Sequence, residues 1–63
     1  MDLRVIKTEK SIKNAFIELR KKKPVEKITV KELSEIAVIN KATFYLHYSD
    51  IYELADEVEN SVI

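Results

Sequence analysis

Apolar residues recur along this chain at helical spacing. Ile12, Phe16 and Leu19 fall three or four positions apart with Ala15 adjoining them, the stripe of an amphipathic helix. It predicts a first helix from about Thr8 to Lys22, with a start that can lie several residues earlier. The basic run Arg20 to Lys23 suits a helix C-terminus, and Pro24 forbids continuation.

The next segment, ITVKEL, carries a strong start signal. Thr29 and Glu32 have the spacing of a capping box, and Ile28 and Leu33 that of a hydrophobic staple. A second helix follows, from Val30 to about Ala37, with Val30, Leu33 and Ala37 on its buried face. Val38, Ile39 and Asn40 separate it from another start, where Asn40 is a good N-cap and Ile39 with Phe44 repeats the staple. The third helix is short, about Lys41 to His47. Asp50 and Glu53 form another box and open a fourth helix with Ile51, Leu54, Ala55, Val58 and Val62 on one face. This last stripe stops at Ile63 without a C-cap, which reads as a domain whose continuation lies outside the sequence.

Two short helices joined by three residues, with an apolar residue in the turn, make a helix-turn-helix. Glycine is absent and proline occurs once, so the usual hairpin signals are missing and the fold class is all-α.

Length and composition narrow the function. A chain of 63 residues buries only about 60% of its unfolded surface, which leaves no room for a large catalytic cleft. With no cysteine there is neither a disulfide nor a thiolate metal site, and a reducing cytoplasm is the natural compartment. No run resembles a signal peptide or approaches the roughly 20 apolar residues of a membrane span.

The formal net charge of zero hides a polarity. Through Lys31, ten Lys or Arg stand against four Asp or Glu; from Glu32 onward, Lys41 alone opposes seven acidic residues. Such asymmetry suits one end facing a polyanion, and solvated helix faces account for it equally well.

From Thr29 to Tyr45 the stretch TVKELSEIAVINKATFY resembles, without a gap, the amino-terminal DNA-binding domain of TetR-type transcriptional regulators. The positions of Ala37, Ile39, Lys41, Thr43 and Tyr45 fit that pattern together, LHYSDIYEL resembles the family's aromatic segment and capped fourth helix, and IKNAFIEL its first helix. The resemblance implies a three-helix, homeodomain-like bundle over residues 1–48, then the start of a connecting helix over 49–63. It implies a third helix lying in the major groove, and a carboxyl-terminal domain, absent from this sequence, that binds a small effector and dimerises. The expected function is sequence-specific recognition of a palindromic operator in double-stranded DNA, by a homodimeric repressor at the nucleoid. No cofactor and no membrane are expected. The alternative is a protein-interaction module of the same fold, docking a partner through its acidic fourth helix.

Phe44 and Tyr48 share a face with Ile39 and are expected in the core. Lys41, Ala42, Thr43 and Leu46 are expected at base edges: lysine donates to guanine, threonine donates or accepts, and the methyls of Ala42 and Leu46 meet those of thymine. Tyr45 and His47 align with positions that meet phosphates, and partial burial is an equal expectation for His47. Thr29 caps the second helix, whose free N–H groups suit a phosphate oxygen. Lys31 and Lys7 are expected to neutralise phosphates, whereas Arg20 to Lys23 is read as a solvated helix end. A metal at His47 is not expected, since no second histidine or cysteine exists. Carboxylate pairs such as Glu32 with Glu35 have no nucleophile or base beside them, so no enzyme is expected. One departure from the family stands in the turn, where Val38 replaces the usual glycine. A β-branched residue is disfavoured there if the turn requires positive φ.

Overall fold

The computed structural model describes the backbone of residues 3–60 and the side chains from Lys7 onward. Four α-helices follow one another: α1 (Leu3–Arg20), α2 (Val30–Ala37), α3 (Lys41–His47) and α4 (Ile51–Asn60), with a 3-10 turn at Val25–Lys27 between α1 and α2. Val62, expected on the buried face of the fourth helix, lies outside the described residues.

The first helix begins five residues before the expected Thr8, so Lys7 lies inside it. Its body ends at Arg20, two residues short of expectation. There the chain tightens, the N–H groups of Lys22 and Lys23 both donating to the Leu19 carbonyl at 3.0 and 2.9 Å. The Arg20 guanidinium crosses the end and donates to the Lys23 carbonyl at 3.2 Å, which places a cation on the negative pole of the helix.

One continuous core joins the helices. Ile12, Ala15, Phe16 and Leu19 of α1 meet Leu33 of α2, Phe44 of α3, Tyr48 just after it, and Ile51, Leu54 and Ala55 of α4. Ile28 closes one side from the connection ahead of α2, with Val25 of the 3-10 turn packed against it. Both staple pairs sit at the core: Ile28, Leu33 and Phe44 are buried in it, and half-buried Ile39 packs against it. Ser34 is buried as well, 3% exposed, and its hydroxyl has no partner. The sequence offered no sign of this, because an apolar stripe does not mark which polar neighbour it carries inward.

The capping boxes form only on one side. Glu32 N–H donates to Thr29 Oγ1 at 3.1 Å, and Glu53 N–H donates to Asp50 Oδ1 at 2.8 Å. The reciprocal carboxylates go elsewhere. Glu53 Oε2 accepts from the backbone N–H of Ser49 at 3.3 Å and from its hydroxyl. Glu32 takes a bidentate ion pair with Lys23, its two oxygens 2.7 and 2.8 Å from Nζ. Lys23 therefore leaves the solvated end on which the sequence placed it, and ties the α1–α2 connection to the first turn of α2.

Candidate DNA-recognition surface

The turn between α2 and α3 fixes how the third helix is presented. Val38 sits at φ 59°, ψ 48°, in the left-handed region. The Ile39 N–H donates to the Ser34 carbonyl at 3.0 Å and the Val38 N–H to the Glu35 carbonyl at 3.3 Å, the paired bonds of a Schellman ending. In consequence Ile39 turns back onto the core while Val38 points out, 87% exposed. Only glycine enters this region without a penalty, and β-branching makes it worse. Val38→Gly should raise stability by about 1 kcal/mol, the relief of strain exceeding the entropy lost by adding glycine. A thermal melt in which the glycine variant unfolds earlier would contradict this.

Asn40 then starts α3. Its Oδ1 accepts from the Thr43 N–H at 2.8 Å and from the Thr43 hydroxyl at 3.0 Å. Thr43 thus keeps lone pairs to accept with, but its proton is already donated, which narrows the base-edge role expected of it to that of an acceptor. It is half-buried.

The other helix residues divide cleanly. Phe44 is 0% exposed, with the Tyr48 ring 5.8 Å away and the Tyr45 ring edge-on at 5.4 Å. On the opposite side Lys41, Ala42, Tyr45 and Leu46 are all exposed. Leu46 is 83% exposed and Tyr45 54%. Positions i, i+1, i+4 and i+5 share one face of a helix, so a lysine, two aliphatic groups and a phenol stand together there. Thr29 and Lys31 are exposed at the start of α2, and Lys7 is exposed on α1. The first two share the neighbourhood of the free N–H groups of α2, whereas Lys7 belongs to a different helix.

His47 behaves differently from its neighbours. Its side chain is only 13% exposed, and Nδ1 lies 3.4 Å from Glu9 Oε1 on α1. Next to it the Tyr48 hydroxyl is buried and makes no hydrogen bond of normal geometry. Burial first, then the Glu57 carboxylate, and beyond it Glu9 and Glu53, raise this phenol well above its usual pKa. Glu57 in turn lies 3.7 Å from Lys13. Among the described residues no His, Cys, Asp or Glu cluster is placed to hold a metal ion, and no helix is long and apolar enough to cross a membrane.

Over 50 residues, 79% of its length, the chain is 32% identical to an uncharacterised HTH-type transcriptional regulator of Bacillus subtilis (strain 168), YxbF. The likeness is to a helix-turn-helix regulator. The chain spans 13% of that protein's length. No family model matches the chain, and no solved structure matches it.

Proposed function

We propose that this chain is the DNA-binding domain of a TetR-like repressor. The full protein acts as a homodimer on a palindromic operator, and a small effector held in its carboxyl-terminal domain releases it. Half-sites one turn apart, about 34–36 Å, would each receive one α3. The observation that carries this reading is the exposed face of Lys41, Ala42, Tyr45 and Leu46, backed by buried Phe44 on the same short helix. A helix so presented offers a donor for guanine and methyl groups for thymine, while Thr43 accepts from adenine or cytosine amino groups. Tyr45, His47, Thr29, Lys31 and Lys7 would contact phosphates and set the register without reading sequence. The site of action would be the cytoplasm, at the nucleoid.

The test is titration of the full-length protein against duplex DNA at rising salt. Affinity should fall about tenfold or more as salt rises from about 50 to 200 mM. Enrichment from a random duplex pool should yield a two-fold symmetric sequence. Failure to bind duplex DNA at the lower salt, with the fold intact, would favour the protein-interaction module instead. Its docking face would be the exposed Tyr52, Asp56 and Glu59 of α4.

A further inference from the structure

The contact between His47 and Glu9 joins residues 38 positions apart, at the end of α3 and on α1. A carboxylate has no proton to give, so the hydrogen bond exists only if the His47 Nδ1–H is the donor. In the neutral imidazole a proton on Nδ1 leaves Nε2 bare. A bare nitrogen accepts, and a phosphate oxygen also only accepts, so the two repel rather than bond. Resting on the DNA-binding reading above, we propose that Glu9 is a positioning residue that holds His47 in the Nδ1–H tautomer, so that His47 meets a DNA phosphate only as the imidazolium. Binding to DNA then takes up one proton.

The other charged groups of this corner have partners of their own. On α1, Lys13 stands beside Glu57 of α4. Glu53, also on α4, accepts from Ser49. The Tyr48 phenol, its ring centre 6.4 Å from that of His47, is held protonated by its burial and the surrounding carboxylates. With His47 neutral, the Glu9 charge also stands without a counter-charge on that ring, which works against an approaching polyanion. With His47 protonated, the pair is neutral and Nε2–H becomes a charged donor that a phosphate oxygen can accept from.

The experiment measures the affinity of the full-length protein for mixed-sequence duplex DNA at fixed ionic strength across the range where histidine titrates, roughly pH 5 to 8. Wild-type affinity should fall with rising pH across that range, by at most about tenfold per pH unit, the limiting slope of one linked proton, and then level off because the other contacts remain. His47→Gln keeps a neutral donor and should lose the slope. Glu9→Gln, whose amide can donate to Nδ1 as well as accept, releases the tautomer and should flatten the profile by raising affinity at the alkaline end. The nitrogen NMR shifts of the His47 ring in the free protein should place the neutral proton on Nδ1. An unchanged slope in His47→Gln, or a neutral proton on Nε2, would overturn the proposal while leaving DNA binding in place. Absence of duplex binding at every pH would remove the DNA reading itself, and this proposal with it.

Discussion

Phe44→Ala is expected to unfold the domain or bring it to the edge of unfolding. The ring is completely buried where α3 meets the rest of the core, flanked by Tyr45 and Tyr48. Its removal deletes a large apolar group and leaves a cavity that a helix of seven residues cannot close by shifting. Such truncations cost about 3–5 kcal/mol, and small domains have total stabilities near the lower end of about 5–15 kcal/mol. Circular dichroism should show helicity lost or a melting midpoint far below that of the parent. Leu46→Ala, two residues on and on the exposed side, should leave the melt almost unmoved. A Phe44→Ala protein melting like the parent would mean that the core does not depend on α3.

Lys41→Ala in the full-length protein is expected to weaken operator binding by about 1–3 kcal/mol and to flatten preference at particular base pairs. Lys41 is exposed at the first position of α3, where a recognition helix brings side chains to base edges. Tyr45→Phe removes one phenolic hydroxyl from the same face. A phosphate contact carries no sequence information, so this variant should weaken all duplexes alike and keep their ranking. Titration of both variants against a panel of single-base operator mutants separates the two roles. Should Tyr45→Phe reorder the panel while Lys41→Ala leaves the order intact, the assignment of that face is reversed.

The boundaries of α2 and α3 were legible because their signals are local. Thr29 and Asn40 each cap the helix that follows within three residues, and the apolar spacing placed Leu33 and Phe44 inward. The positive φ at Val38 could be anticipated only through the family pattern, since the residue itself argues against it. What the sequence hid was tertiary. The capping-box spacing suggested that Glu32 turns back on Thr29, yet Lys23 reaches it from nine residues upstream and offers a full charge. A carboxylate prefers an ammonium to a backbone amide when both are in range. Histidine 47 was open between phosphate and burial for a related reason: its partner Glu9 is invisible to any local window. The 3-10 turn at Val25–Lys27 was missed because three residues are too few to show a period.

The Lys23–Glu32 pair also alters what a salt titration can count. When a lysine settles on DNA, the gain is largely entropic, since a condensed cation leaves the phosphate for bulk solution. A lysine already matched to a carboxylate of its own chain displaces fewer such ions, because its charge is partly cancelled before DNA arrives. Lys23 with Glu32, Lys21 with Glu18 and Lys13 with Glu57 are matched in this way, whereas no ion pair ties Lys31 or Lys41 to another described residue. The number of ions released per domain should therefore follow the few unmatched lysines near α2 and α3, well below the ten basic residues that precede Glu32.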